Sequence, residues 1–235
     1  MLEELKHKVW QANKGLAHYK LVDLTWGNIS GMSAERDFMV IKPSGINYEE
    51  LKSDDLVVVD RDGKKVEGHL SPSSDTPIHL EIYKAFGGIF GVAHTHSVYA
   101  TMFAQANMSI PCLGTTHADH FYGDIPVTRM ITEEETHLGY EANTGKVIVE
   151  RFEKIDPFKM PAVLVVGHGA FTWGISPQEA LFNSVALEDV AKMAFGSILL
   201  RPNGIPFPDY LLRKHFSRKH GPDAYYGQKK TGDEQ

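Results

Sequence analysis

The order of helix-like and strand-like segments predicts a three-layer protein of the α/β or α+β class. Short apolar runs of strand length, at residues 38–41 and 56–59, lie between turn residues. Segments with helical apolar spacing and capping residues separate such runs. Because helices and strands are interspersed, the helices can cover a central sheet. The 235 residues suit one large domain with a substantial core.

The first third of the chain predicts one helix followed by short strands. Its opening apolar residues recur at spacings of three or four, which is the period of an amphipathic helix; they are Leu2, Leu5, Val9, Ala12, Leu16 and Tyr19. Strands are predicted over residues 23–29, 38–41 and 56–59. The pair Asp62 and Gly63 then indicates a hairpin turn.

Capping signals predict the later helices. A helix begins near residues 74–77, where Asp75 and Pro77 suit a helix start, and Ile78, Ile82 and Phe86 form its buried stripe. Residues 97–106 predict a further helix, and a capping box at residues 176–179 opens the longest one, which runs to about residue 200. Residues 115–123 show no apolar period and predict a loop, whereas residues 145–152 fit either a strand or a helix.

Composition excludes several classes of function. The formal net charge of −6 disfavours a nucleic-acid binder, which would show a basic face. No apolar run approaches the length of about 18 residues that a membrane span requires, and residues 1–6 lack the apolar core of a signal peptide. Cys112 is the only cysteine, so no intrachain disulfide forms. We therefore expect a cytoplasmic protein with no membrane and no nucleic-acid partner.

Three histidines stand at the ends of predicted strands. His94 and His96 follow the apolar run at residues 88–93, and residues two apart in a strand project from the same face. His168 ends a second run that begins at Val163. Each histidine alone could be a cap or a buried hydrogen-bonding group. Together, three neutral imidazoles with one open position are what a catalytic Zn²⁺ requires, so the pattern indicates a metal-dependent enzyme.

Several polar segments predict a phosphate pocket. Glycine, amide, hydroxyl and ammonium groups occur in short turns or at a predicted helix start, where free N–H groups bind anions; these residues are Gly27, Asn28, Lys42, Ser44, Gly45, Ser73 and Ser74. Asp75 either caps the helix or joins or supports the metal shell. Residues 115–123 offer acid or base candidates, and the aromatic end at residues 225–226 is expected to dock on its own chain or on a neighbouring subunit.

Taken together, these segments resemble the L-ribulose-5-phosphate 4-epimerases of the class II aldolase family. The matching segments are LTWGNIS at residues 24–30, IKPSG at 41–45, PSSDTP at 72–77, HTHS at 94–97, GTTHAD at 114–119, GHG at 167–169, and KHG with YYGQ at 219–221 and 225–228. Each is short, but seven of them in the family's order are specific. The implied fold is a three-layer α/β/α sandwich around a largely antiparallel, mixed sheet. The implied boundaries are one domain over residues 1–228 and a solvated tail over residues 229–235.

The resemblance also implies roles for individual residues. His94, His96 and His168, with Asp75 as a direct or supporting ligand, would hold Zn²⁺ or Mn²⁺. Asp119 and Tyr226 would be the acid and base, with Tyr226 reaching in from an adjacent subunit of a cyclic homotetramer that has its sites at the subunit interfaces. His215 and Glu141 would be supporting residues. Gly27, Asn28, Ser44, Gly45, Ser73 and Ser74 would form the phosphate and substrate pocket.

The implied activity is the metal-dependent interconversion of L-ribulose 5-phosphate and D-xylulose 5-phosphate by carbon–carbon cleavage and re-addition. Asp75 supports this choice, since aldolases of the family carry a glutamate at that position. The alternatives are a class II sugar-phosphate aldolase, a non-catalytic zinc-binding domain and a sugar-phosphate-binding regulator. Epimerases that serve arabinose catabolism and ascorbate breakdown look alike, so both pathways remain open.

Overall fold

A computed structural model describes residues 2–202, 206–221 and 224–225 of the chain. These residues contain one seven-stranded sheet with the strand order β4-β3-β2-β1-β5-β7-β6. The strands are β1 (Asn28–Met32), β2 (Phe38–Ile41), β3 (Val57–Asp60), β4 (Lys65–Glu67), β5 (Gly91–Thr95), β6 (Ala162–Val165) and β7 (Gly169–Gly174). Every ladder in this sheet is antiparallel, and an isolated parallel bridge joins Val127 to Leu164.

Helices lie on both faces of the sheet. They are α1 (Leu2–His18), α2 (Thr76–Ala85), α3 (Val98–Gln105), α4 (Thr115–Ala118), α5 (Glu133–His137), α6 (Tyr140–Arg151), α7 (Pro177–Leu200) and α8 (Asp209–His220), with a 3₁₀ turn at Ser53–Asp55. Helices α1 and α7 pack together against β1, and α2 packs against α6. The predicted three-layer sandwich with a largely antiparallel sheet is therefore confirmed.

Alternation along the strands explains why both faces are covered. Met39 and Ile41 of β2 join the core that contains Ile78 and Ile82 of α2, whereas Val40, between them, joins Val9 of α1. Successive strand residues point to opposite faces, so a run that is apolar throughout needs an apolar layer on each side. The central strands are buried for this reason.

The predicted strand over residues 23–29 is wrong for most of its length. Residues 23–27 form a turn in which the Trp26 N–H donates to the Asp23 carbonyl oxygen at 3.0 Å. Leu24 and Gly27 have φ angles of 52° and 72°, which no strand residue adopts. The strand β1 therefore begins only at Asn28.

Other segments differ from their predicted secondary structure in smaller ways. The predicted loop at residues 115–123 contains the short helix α4, and the ambiguous residues 145–152 belong mostly to the helix α6. Strand β6 ends at Val165, so His168 lies in the turn that leads into β7. The basic run near the C-terminus forms α8, with Phe216 buried.

The predicted starts of α2 and α7 agree with the structure. In α7 the Ser176 side chain accepts a hydrogen bond from the Glu179 N–H, and Pro177 is the first helical residue. No helix in the described part of the chain is long and apolar enough to cross a membrane. The single domain over residues 1–228 stays a prediction, and the predicted tail at residues 229–235 lies outside the described residues.

Candidate active site

The structure brings His94, His96 and His168 together. His94 is carried by β5, which pairs with β1 on one side and β7 on the other, and His96 follows the end of that strand. His168 precedes β7, and the pairing of Thr95 with Ala170 brings it beside the other two. The three ring centroids lie 4.7 to 5.0 Å apart.

The three rings fit a divalent metal ion. One ligand atom from each ring lies within 4.8 Å of the others, and the Nε2 atoms of His94 and His96 are 3.0 Å apart. Two ligands at about 2.05 Å from a tetrahedral zinc ion would be separated by about 3.3 Å. Nδ1 of His168 is buried with no hydrogen-bond partner among the described residues, which suits a ring that faces a ligand.

The surroundings keep these imidazoles neutral, as a metal requires. Burial lowers the pKa of His94 to about 3 and also lowers the pKa values of His96 and His168. The His94 Nδ1–H donates to the Ala170 carbonyl oxygen at 3.0 Å, which leaves the Nε2 lone pair available. Gly169 permits this approach, because a Cβ there would lie 2.6 Å from the Thr95 carbonyl oxygen and 3.4 Å from the His94 ring.

Asp75 is not a simple helix cap. It precedes α2, but its side chain makes no capping hydrogen bond. Its carboxylate instead accepts a hydrogen bond from the Asn28 side-chain amide at 2.7 Å. Burial opposes ionisation of Asp75, yet the pKa of the carboxyl stays below its usual value, and the hydrogen bond from the Asn28 amide contributes to this. Asp75 lies outside the three-histidine group of ligand atoms, so the geometry favours a supporting position.

A polar cleft of about 400 Å³ extends from the histidines. All of the residues predicted for the phosphate pocket line it, and so do Asp75, the three histidines and Glu141; the pocket residues are Gly27, Asn28, Lys42, Ser44, Gly45, Ser73 and Ser74. The Asn28 amide also donates to the Ser73 hydroxyl at 3.1 Å. Gly27 is required sterically, because a Cβ there would lie 2.7 Å from the His94 carbonyl oxygen.

Lys42 supplies positive charge to this cleft. Among the described residues that line it, Lys42 is the only lysine or arginine. Its ammonium group lies 3.4 Å from the carbonyl oxygens of Thr25 and Pro43 and 4.8 Å from the centre of the Tyr48 ring. Burial lowers the pKa of Lys42 to about 8, so a bound anion would relieve an unfavourable desolvation.

The cleft also contains aromatic residues that the sequence analysis did not select. Trp26 lies with its ring centre 6.3 Å from that of His96, and Tyr140 lies at the same distance from His168. Trp26 lies within the polar, glycine-containing segment that predicts part of the phosphate pocket, and its position there could have indicated that it lines the cleft. Tyr140 precedes Glu141 on α6 and had no such signal.

Asp119 and His215 lie together but do not line this cleft. The Asp119 carboxylate accepts hydrogen bonds from Arg218 Nε at 2.9 Å and from the His215 ring at 3.0 Å, which join α4 to α8. Burial opposes ionisation, but Arg218 and His215 hold the pKa of Asp119 below its usual value. The predicted partner Tyr226 lies outside the described residues.

Comparisons with known proteins agree with this geometry. The class II aldolase and adducin N-terminal domain matches residues 7–195. The chain is 53% identical over 228 residues to the L-ribulose-5-phosphate 4-epimerases UlaF of Salmonella paratyphi A and Salmonella typhi, covering 97% of this chain and 100% of each relative.

Solved structures of similar fold include an L-fuculose 1-phosphate aldolase, with a TM-score of 0.77 and 27% identity over 92% of this chain and 95% of the aldolase. A second is the L-fuculose-1-phosphate aldolase of Thermus thermophilus, with a TM-score of 0.66 and 23% identity over 87% of this chain and 100% of that protein. At 23% identity the second likeness bears on the fold alone.

Proposed function

The chain belongs to the class II aldolase and adducin family, and from that premise we propose that it interconverts L-ribulose 5-phosphate and D-xylulose 5-phosphate. It is a sugar-phosphate epimerase of the class II aldolase type. The observation that carries this conclusion is 53% identity to named 4-epimerases across 97% of the chain and their whole length. The convergence of His94, His96 and His168 supports the metal-dependent chemistry of this family.

The chemistry of the substrate explains why an aldolase-type site suits an epimerase. Carbon 4 of a ketopentose 5-phosphate is not adjacent to the carbonyl group, so its hydrogen is not acidic and deprotonation cannot invert it. Breaking the bond between carbons 3 and 4 gives the enediolate of dihydroxyacetone and glycolaldehyde phosphate. Rotation of the aldehyde followed by re-addition to its other face inverts carbon 4.

The three histidines would hold Zn²⁺ or Mn²⁺, which supplies Lewis-acid stabilisation of the enediolate when bound. The Ala170 carbonyl oxygen orients His94 for this role. Asp75, fixed by the Asn28 amide, would support the ligands of the ion. Glu141 lines the same cleft and would support the site from α6.

The other end of the cleft would bind the phosphate group. Lys42 provides charge, and the hydroxyl groups of Ser44, Ser73 and Ser74 provide neutral donors around it. The Ser44 N–H already donates to the Ser71 carbonyl oxygen at 3.0 Å, so we assign phosphate binding to its hydroxyl. Gly45 lines the cleft and faces open space, so a side chain there would narrow the cleft.

We propose that the acid and base come from a neighbouring subunit. Asp119 is anchored to α8 and does not line the cleft of its own chain, as expected if it serves the cleft of a partner. Asp119 and Tyr226 would then exchange the hydroxyl proton on opposite faces of the substrate. A cyclic homotetramer with its sites at the subunit interfaces satisfies this requirement. Separately, the free thiol of Cys112 suits the reducing environment of the cytoplasm.

The second candidate function is a class II sugar-phosphate aldolase. The likeness to an L-fuculose 1-phosphate aldolase at 27% identity favours it. Asp75 at the position where aldolases of the family carry glutamate favours the epimerase instead. The two activities differ in whether the aldehyde fragment leaves the site.

A product assay tests the proposal. Purified, metal-replete protein is given L-ribulose 5-phosphate, and D-xylulose 5-phosphate and glycolaldehyde phosphate are both quantified. We expect D-xylulose 5-phosphate with little free aldehyde. Free aldehyde as the main product would support the aldolase, and absence of both products would contradict the proposal.

A further inference from the structure

Residues 23–27 form a fixed turn that holds Trp26 at the mouth of the cleft. Leu24 and Gly27, on either side of Thr25 and Trp26, have positive φ angles, and the Trp26 N–H donates to the Asp23 carbonyl oxygen at 3.0 Å. The buried Tyr48 hydroxyl contacts the carbonyl oxygens of Trp26 and Gly27 at 2.9 and 2.7 Å. The buried Tyr48 side chain therefore anchors the backbone of this turn.

The Trp26 side chain is half exposed although it lines the cleft. It is 52% exposed, and its ring plane makes an angle of 40° with that of His96, with the centroids 6.3 Å apart. Most of the other lining residues are polar or charged. An indole presents a large apolar face, so Trp26 contributes apolar surface beside His96, whereas Tyr140 lies next to His168.

We propose that Trp26 shields the enediolate fragment from water. This shielding determines whether the two fragments recombine or the enediolate is protonated and the aldehyde is released. This inference rests on the proposed epimerase function. His94, His96 and His168 would hold the ion that stabilises the enediolate, and the Trp26 ring lies beside His96. An apolar wall excludes water there, and it places few hydrogen-bonding groups in the way of the rotating aldehyde.

The competing reaction is chemically simple. After the bond between carbons 3 and 4 breaks, the electron pair remains on carbon 3 of the enediolate, and carbon 4 becomes the aldehyde carbon. Attack of carbon 3 on the aldehyde reforms the bond and gives either epimer. Protonation of carbon 3 by water gives dihydroxyacetone and releases glycolaldehyde phosphate. The hydroxide left from that water is neutralised by the proton that the carbon 4 hydroxyl lost during cleavage. Water access decides between these outcomes.

The test compares Trp26→Ala, Trp26→Phe and the control Leu24→Ala in metal-replete protein. Leu24 is an exposed apolar residue of the same turn that does not line the cleft. The ratio of dihydroxyacetone to D-xylulose 5-phosphate is measured for each variant. We expect this ratio to rise about tenfold in Trp26→Ala, which corresponds to about 1.4 kcal/mol. Trp26→Phe and Leu24→Ala should stay near the wild-type ratio.

An unchanged ratio in Trp26→Ala protein that retains its metal would overturn the inference while leaving the epimerase intact. Wild-type protein that forms no D-xylulose 5-phosphate would overturn the proposed function and the inference with it. A readout independent of turnover is the quenching of tryptophan fluorescence when Co²⁺ is added to metal-stripped protein. We expect most of the quenching to disappear in Trp26→Phe, and full quenching in that variant would contradict the placement of Trp26 beside the ion.

Discussion

Replacing Lys42 by methionine should make the protein more stable and, at the same time, a poorer binder of phosphate. Lys42 is 1% exposed, and its ammonium group contacts only carbonyl oxygens at 3.4 Å and the Tyr48 ring among the described residues. Burial without a carboxylate partner lowers the pKa of Lys42 from 10.5 to about 8. The Lys42 ammonium group thus stays charged at neutral pH although its burial disfavours the charge.

The pKa shift gives the size of the expected effect. Lowering the pKa of Lys42 from 10.5 to about 8 corresponds to roughly 3 kcal/mol by which folding disfavours the charged ammonium group. Methionine keeps the apolar stem but loses the carbonyl and ring contacts, so we expect a net gain of about 1–2 kcal/mol in the free energy of unfolding. In the wild type, the unfolded chain retains this proton up to about pH 10.5 and the folded chain up to about pH 8, so stability should rise with pH between those values.

The Lys42→Met substitution should weaken phosphate binding although it stabilises the fold. Loss of a charge-assisted contact to phosphate costs about 1.5–3 kcal/mol, so inorganic phosphate should inhibit the Lys42→Met variant about 10- to 100-fold more weakly. Wild-type kcat/KM should fall as the pH rises above about 8, and this limb should vanish in the variant. Lys192→Met is the matched control, because Lys192 also lies over a tyrosine ring but outside the cleft. A less stable Lys42→Met protein with unchanged phosphate inhibition would refute this reasoning.

Three further predictions concern other parts of the molecule. Tyr226→Phe should slow epimerisation without lowering the metal content; a normal rate would remove Tyr226 from the reaction. Asp75→Glu should increase the release of free glycolaldehyde phosphate, and an unchanged product ratio would count against the role given to this position. Burial lowers the pKa of His117 to about 4. The unfolded chain therefore takes up this proton first, and about 3 kcal/mol of stability is lost as the pH falls from about 6.5 to about 4. In urea unfolding, His117→Gln should be less sensitive to acid; an unchanged pH dependence would contradict this.

Local signals explain which parts of the fold were predictable. Strand β2 was predicted with its observed bounds because four apolar residues stand between turn signals. The start of α2 was predictable from Pro77 and the small polar residues before it. Leu24, in contrast, has a positive φ that leucine rarely adopts. The neighbouring turn is held by Tyr48 from another segment, so no local pattern could have placed it.

The same distinction applies to the candidate site. His94 and His96 were recognisable because two residues of one strand end share a face. The approach of His168 depends on the pairing of β5 with β7, whose partners are 75 residues apart at Thr95 and Ala170. The contacts of Asp119 with His215 and Arg218 join α4 to α8 across nearly 100 residues. Such contacts come from tertiary packing, which a single sequence does not encode as a local pattern.

We propose that one metal ion, held by His94, His96 and His168, supports epimerisation. The most direct measurement is a titration of metal-stripped protein with Zn²⁺ or Mn²⁺, in which bound metal and D-xylulose 5-phosphate formation are followed together, with His96→Asn as the control. We expect activity to rise in proportion to bound metal and to reach its plateau at one ion per chain, and His96→Asn to show weakened metal binding and low activity. Full activity in metal-free protein, or unchanged metal content in His96→Asn, would contradict a catalytic ion held by these histidines.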